Sequence, residues 1–257
     1  MKITILGCGP SAGMPMIGND WGDCDPNNPR NRRRRASVLV QEHRATILVD
    51  TSPDMRLQLL DAGINRLDAI LFTHAHADHT HGIDEVRALN RSMGEPMPIF
   101  ASPATLAELR QRFAYIFRPQ DPAAGAVFYK PALIPQTIDG PFEVAGIAVT
   151  PFTQEHGYGK TLGFRFGAIA YSTDVVALDQ NAFAALEGVE VWIVDCYRRT
   201  PHPTHTHLAQ TLEWIDRIRP KRAILTHMDR DLDYETLRRE LPSGVEPAYD
   251  GLVIEIP

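Results

Sequence analysis

Thr73-His74-Ala75-His76-Ala77-Asp78-His79 follows the apolar run Ala69-Ile70-Leu71-Phe72 with no spacer, and no other stretch restricts the fold as tightly. A short apolar run bounded by polar residues predicts a buried strand, so four groups able to ligate a metal stand where that strand breaks into a loop. Imidazole and carboxylate together suit Zn²⁺, Mn²⁺ or Fe²⁺. Four such groups within six residues exceed what one tetrahedral ion takes from so short a loop, and the spacing predicts two ions. A merely solvated His-rich tract requires neither the buried strand before it nor the order His-x-His-x-Asp-His.

The rest of the chain repeats one arrangement. A strand over residues 2–7 leads to a hairpin of strands 36–40 and 45–49 with His43 in its polar turn. Ser52-Pro53 then opens a helix that stops at Gly63. A helix over 83–89, a strand at 98–101 and a helix over 103–115 come next, and the proline-rich stretch 116–135 reads as irregular. Strands are expected near 146–151, 161–166, 168–172, 191–194, 223–225 and 252–256, with helices over 177–186, 208–218 and 233–240. Five apolar runs end in an acid or an imidazole: Asp50, His74, Asp174, Asp195 and His227. Packing requires no such ends, and convergence at one sheet edge accounts for all five. His156, after another apolar segment, can join them. Two halves of strands followed by helices predict two sheets face to face with helices outside.

Charge and composition limit the partners. The net charge of −6 gives no global basic field for nucleic acid, and the local run Arg30, Arg32, Arg33, Arg34 and Arg35 reads as a solvated face. The glycines of Gly7-Cys8-Gly9-Pro10-Ser11-Ala12-Gly13 read as a tight structural loop, since no Gly-Lys-Ser/Thr follows. Met1–Gly7 reads as strand rather than signal peptide, no apolar run approaches about 18 residues, and the three scattered cysteines do not form a disulfide framework. The expectation is a cytoplasmic protein with no membrane partner.

His74-x-His76-x-Asp78-His79, followed by His156, Asp174 and His227, resembles the metallo-β-lactamase superfamily of binuclear hydrolases over nearly the whole chain. The resemblance implies an α+β, four-layer αββα sandwich, one domain over 1–257. It implies two divalent ions per chain (Mn²⁺, Zn²⁺ or Fe²⁺): His74, His76 and His156 hold one, Asp78, His79 and His227 the other, and Asp174 bridges them. It makes Asp50 the acid that steadies the His-rich loop. Gly7-x-Gly9-x-Ser11-x-Gly13-x-Pro15, Trp21-Gly22, the segment Asp195-Cys196 to His207 and Leu241-Pro242-Ser243-Gly244 are similar to the phosphodiesterase branch, above all to the phosphoribosyl 1,2-cyclic phosphodiesterase (PhnP-like) family. That family carries a structural zinc on three cysteines and a histidine. Here Asp23, Asp25 and Asn28, with Cys24 nearby, and Arg230 stand in those places, so no structural zinc site is expected.

The implied activity is hydrolysis of cyclic or small nucleotide or ribose phosphodiesters, with His207 as general acid oriented by Asp195. His202 and His205 share its loop and are the alternatives. His81 reads as a helix start rather than an eighth ligand, and Phe113, Tyr115, Phe117 and Tyr129 read as core rather than as a base-stacking platform. The competing readings are a nuclease trimming RNA or DNA ends, supported only by the arginine run, and a non-catalytic metal-binding module. Replacing Asp78 separates the last from a catalyst. A homodimer is implied by the resemblance alone.

Overall fold

The computed structural model describes residues 1–118 and 128–256. The first part of the chain lays down β1 (Lys2–Gly7), β2 (Ser37–Glu42), β3 (Ala45–Val49), β4 (Ala69–Leu71), β5 (Met97–Ala101) and β6 (Leu133–Thr137). The second part lays down β7 (Phe142–Val144), β8 (Ile147–His156), β9 (Gly159–Phe166), β10 (Ile169–Ser172), β11 (Val191–Asp195), β12 (Arg222–Thr226) and β13 (Val245–Pro247), and β14 (Val253–Glu255) crosses back to lie beside β1. The strand orders are β14-β1-β2-β3-β4-β5-β6 and β13-β12-β11-β10-β9-β8-β7. Helices α1 (Met55–Asp61), α2 (Ala77–Thr80), α3 (Val86–Met93) and α4 (Pro103–Arg112) belong to the first part, and α5 (Gln180–Leu186), α6 (Leu208–Ile218) and α7 (Tyr234–Glu240) to the second.

Period-2 alternation decides the layers. Val38, Val40, Ile47, Val49, Ala69 and Leu71 turn one face of the first sheet toward Phe152, Phe164, Phe166, Tyr171 and Trp192 of the second. The alternate residues Leu39, Leu48 and Ile70 face Met55, Leu59, Val86, Leu89, Leu106 and Leu109 from α1, α3 and α4. Sheet therefore packs on sheet with helices outside, the expected αββα sandwich. Strands β3 to β6 run parallel to one another, as do β10 to β13, which places the carboxyl ends of each set at one edge. The Leu162 amide of β9 donates to the Thr73 carbonyl at 3.0 Å and joins the two sheets at that edge. Among the described residues no helix is long and apolar enough to cross a membrane.

The glycine loop is structural. A Cβ on Gly7 would lie 2.1 Å from the Arg35 carbonyl oxygen and one on Gly9 2.7 Å from that of Arg33, so residues 33–35 run too close for any side chain. The arginine run departs in part from the expected solvated face: Arg30 and Arg32 are exposed, Arg34 and Arg35 half-buried. Arg33 is fully buried, and its guanidinium donates to the carbonyls of Met228, Asp229 and Leu232 and to Asn31 Oδ1, bracing the chain just after His227. Arg34 and Arg35 pair with Asp61 and Asp54, while Arg30 lies over Tyr234 and Tyr249 and Arg32 over Trp21. Where a structural zinc was not expected, Arg230 pairs with Asp20, and its carbonyl accepts from Asp23 N and Cys24 Sγ. Asp233 accepts from Asp25 N and Asn31 Nδ2. These bonds fasten residues 20–31 to the same loop.

Several element boundaries moved, among them the strand expected near 146–151, which runs from Ile147 to His156, and the helix expected over 83–89, which is a short 3-10 turn followed by Val86–Met93. The helix expected over 103–115 ends at Arg112, where Phe113 leaves helical geometry, and the one expected from 177 starts at Gln180 after the Asp179 side chain caps it. Of the stretch expected to be irregular, residues 119–127 lie outside the described residues, and 133–135 belong to β6.

Candidate metal centre

All five strand ends meet at one edge, and three of them take a backbone that side chains seldom adopt: Asp50, Asp174 and His227 have φ of 65°, 54° and 58°. Left-handed residues just past parallel strands turn the side chains into the cleft between the sheets, and such strain is kept where the surroundings fix it. Sequence periodicity carries no signal for it.

His74, His76, His156 and Asp174 form one group whose ligand atoms lie within 4.8 Å of one another, and Asp78, His79, Asp174 and His227 form another. Asp174 belongs to both, one oxygen toward each. Its Oδ1 is 3.9 Å from His74 Nε2 and 3.8 Å from His156 Nε2; its Oδ2 is 3.1 Å from His79 Nε2 and 3.6 Å from His227 Nε2. Asp78 Oδ2 lies 3.3 Å from His79 Nε2 and 3.7 Å from His227 Nε2.

The far side of three of the rings is fixed. His79 Nδ1 bonds to Asp50 Oδ2 at 2.7 Å, His74 Nδ1 to Thr73 Oγ1 at 3.0 Å, and His156 Nδ1 to the Thr204 carbonyl at 2.7 Å. Asp50 also accepts from Thr73 N and Thr73 Oγ1, both at 2.8 Å, so one buried carboxylate sets the whole His-rich loop. What the protein leaves unsatisfied is the inner side: His74 Nε2, Asp78 Oδ2, His79 Nε2 and His227 Nε2 are buried without a hydrogen-bond partner. Two ligands each about 2.0–2.2 Å from one tetrahedral ion stand roughly 3.3–3.6 Å apart. The observed separations bracket that value, and this donor set fits divalent cations.

The electrostatics agree. Burial, then the charge of His79, holds the His74 imidazole well below its usual range, and burial lowers His156, leaving both neutral as ligands must be. Burial alone would raise Asp174, but His227 and His79 keep it well below the ordinary carboxylate range. His227 goes the other way: burial lowers it, yet the negative charges of Asp174, Asp78 and Asp195 outweigh burial and lift it to about 9; His79 is raised well above its usual value for similar reasons. Without metal both rings hold protons at neutral pH, and a cation must displace them. Apparent metal affinity should therefore rise with pH between 7 and 9, with proton release per ion falling as His227 loses its proton. Calorimetric titration of the metal-free protein in buffers of different ionisation enthalpy reads both, and pH-independent affinity between 7 and 9 contradicts this charge arrangement. The sign for folding is opposite. Stabilisation from the raised His227 is full below an unfolded value near 6.5 and lost as pH rises through about 9.

The expected pairing of Asp195 with His207 is not what the structure makes. Asp195 Oδ2 bonds to His205 Nδ1 at 3.1 Å, and His205 turns Nε2 to 3.9 Å from Asp174 Oδ1. His207 sits at the amino-terminal cap of α6, where its carbonyl accepts from Thr211 N and its backbone bridges Arg198. The loop is held from both sides, Thr206 N donating to the Val175 carbonyl and Tyr197 N to that of Thr206, which lifts His205 to the crest. Tyr197 stacks against His205 with centroids 4.6 Å apart, and His227 packs near-parallel to it at 4.9 Å. His202 stays at the rim, 5.2 Å from His205, and His81 ends α2 against Phe113, outside both groups.

A cavity of about 860 Å³ opens above the first group. His74, His76, His156, Asp174 and His205 form its floor, and Ser11, α4 and the β8–β9 turn its walls. None of Arg30 to Arg35 lines it, and neither do Phe113, Tyr115, Phe117 and Tyr129.

A family model described as the beta-lactamase superfamily domain matches residues 45–228. The chain is 32% identical over 255 residues to an octanoyltransferase of Porphyromonas gingivalis, covering 98% of this chain and 51% of that one. It is 30% identical over 143 residues to a ribonuclease Z of a Bradyrhizobium species, covering 54% and 46%. It thus spans about half the length of these curated relatives. A solved structure described as a new diphosphatase from the PhnP family superposes with a TM-score of 0.91 at 35% identity, over 100% of this chain and 98% of that one.

Proposed function

The chain belongs to the beta-lactamase superfamily domain family and is PhnP-like, and from that premise we propose that it is a phosphodiesterase working with two divalent cations on cyclic or small nucleotide or ribose phosphodiesters. His74, His76 and His156 would hold one ion, Asp78, His79 and His227 the other, and Asp174 would lie between them. Bound there, Mn²⁺ or Zn²⁺ would supply Lewis acidity toward phosphoryl oxygens and a water-derived nucleophile at neutral pH.

One observation carries the reading: His205 belongs to neither of the two four-residue groups that share Asp174, although it lies in a third cluster with Asp195 and His227; it is clamped by Asp195 through Nδ1 and turns Nε2 into the cavity beside Asp174. Asp195 fixes the ring so that Nε2 is the atom from which a proton reaches a departing alkoxide. Asp195 is itself held, its Oδ2 accepting from Val175 N at 3.0 Å and its carbonyl from Thr211 Oγ1 at 2.9 Å. Asp78 stands on the opposite side of Asp174 as a ligand and as the acid that faces His79 and His227.

The nuclease reading has the ribonuclease Z likeness in its favour, but the arginines that motivated it are spent on internal partners. The transferase name of the Porphyromonas relative belongs to a protein about twice this length, of which this chain covers 51%.

The test is turnover of bis(p-nitrophenyl) phosphate, 2′,3′-cyclic nucleotides and a cyclic ribose phosphate, with and without prior chelation. Mn²⁺- or Zn²⁺-loaded protein should hydrolyse at least one of them, and chelator-stripped protein should fall to background and recover on reloading. No hydrolysis by fully loaded protein defeats the proposal. Binding that weakens steeply with salt on RNA, without small-diester turnover, turns it to the nuclease.

A further inference from the structure

Tyr158 is fully exposed, with a relative accessibility of 98%, yet it stands on the wall of the metal cavity. It occupies the second position of the two-residue turn between β8 and β9, two residues beyond His156. The turn is wedged in place: Gly157 has φ of +68°, and a Cβ there would meet Thr204 Cγ2 at 2.5 Å and the Pro203 carbonyl at 3.0 Å. The backbone under Tyr158 is therefore seated against the loop that presents His205, while the ring has no partner among the described residues. Apart from the histidines, Tyr158 is the one aromatic side chain among the described residues lining this cavity.

The rest of the wall selects what that ring can meet. Lys160 pairs with Glu155 at 3.4 Å, and Arg112 pairs with Glu108 at 2.5 Å and donates to the Ala75 carbonyl. Both cations on the outer wall are thus balanced by acids, which leaves little pull for a second phosphate and leaves a flat ring as the main recognition element. A tyrosine on a seated backbone has only two side-chain torsions to settle on contact, and the natural partner of its ring is another π-face.

Resting on the phosphodiesterase reading, we infer that Tyr158 is a specificity-determining residue: its ring stacks on the nucleobase of a nucleotide substrate whose phosphodiester lies over the His74–Asp174 floor. The preferred substrates are then nucleotide diesters rather than base-free ribose phosphates.

Equilibrium binding tests this without requiring turnover. Mn²⁺-loaded protein is titrated calorimetrically with AMP and with ribose 5-phosphate, in the native chain and in Tyr158→Ala and Tyr158→Phe. Base stacking on an aromatic side chain predicts that AMP binds the native protein about ten- to hundred-fold more tightly than ribose 5-phosphate. That ratio should collapse toward one in Tyr158→Ala and persist in Tyr158→Phe, a pattern that loss of a structural contact does not produce. An AMP preference that survives Tyr158→Ala, or equal binding of the two ligands by the native protein, overturns the inference. Absence of turnover on every phosphodiester with the AMP preference intact strikes the catalytic reading instead.

Discussion

Replacing His205 by alanine should lower kcat for phosphodiesters by about 10²- to 10⁴-fold, the usual worth of a positioned general acid, while leaving bound metal intact. His205 touches the reacting region through Nε2 only, since Nδ1 is committed to Asp195, and truncation therefore removes the proton donor without removing a ligand. The matched variant His207→Ala should keep kcat near the native value. His207 serves α6 through its backbone and makes no side-chain capping bond, so stability should change by less than about 0.5 kcal/mol. Single-turnover kinetics with metal content measured on each preparation separates the outcomes. Collapse in His207→Ala with activity retained in His205→Ala reverses the assignment.

The second large effect concerns Asp50, which lies outside both ligand groups. Its two oxygens hold Thr73 N, Thr73 Oγ1 and His79 Nδ1 in a site with no access to solvent. Asp50→Ala leaves the raised His79 imidazole without its partner and frees the loop that presents His74. Breaking a buried charged pair costs about 3–5 kcal/mol, and loss of the partner behind a ligating histidine weakens metal binding about 10- to 100-fold. Urea unfolding of the metal-free protein reads the first effect and competition with a chelator the second. Native-like metal affinity in a folded Asp50→Ala protein means that His79 is positioned by something else.

The two predictions differ in how far the chain itself announced them. Asp50, His74, Asp174, Asp195 and His227 were legible because each ends an apolar run, and parallel pairing then forces such ends to one edge. α6 was legible to the residue, Leu208–Ile218, because its apolar spacing is helical and its loop polar. The choice among His202, His205 and His207 was not legible. Seven residues from Pro201 to His207 have no periodicity, and which imidazole faces the cleft depends on tertiary hydrogen bonds to Val175 and Tyr197. β6, β7 and β13 escaped for a related reason: short edge strands with exposed side chains and prolines lack the buried alternation that marks the central ones. Arg33 shows the limit of reading charge runs. A guanidinium is buried here because backbone carbonyls some 195 to 199 residues away supply its acceptors. Tyr158 escaped because nothing in Gly157-Tyr158-Gly159 tells a turn on the surface from a turn over a cavity.

The ligand positions, spread from residue 74 to residue 227 across both sheets, also bear on how the protein is made. At a synthesis rate of about 5–20 residues per second, the His-rich loop leaves the ribosome on the order of ten seconds before His227 follows. For most of that interval the loop carries three imidazoles and a carboxylate but lacks Asp174, the one group common to both sets, and throughout it lacks His227. Any ion captured early meets an incomplete, solvent-exposed chelate and exchanges freely. On the two-cation proposal, secure capture would wait until β10 and β12 have docked, and the ions present at the completion of folding rather than at its start would decide which metal is held.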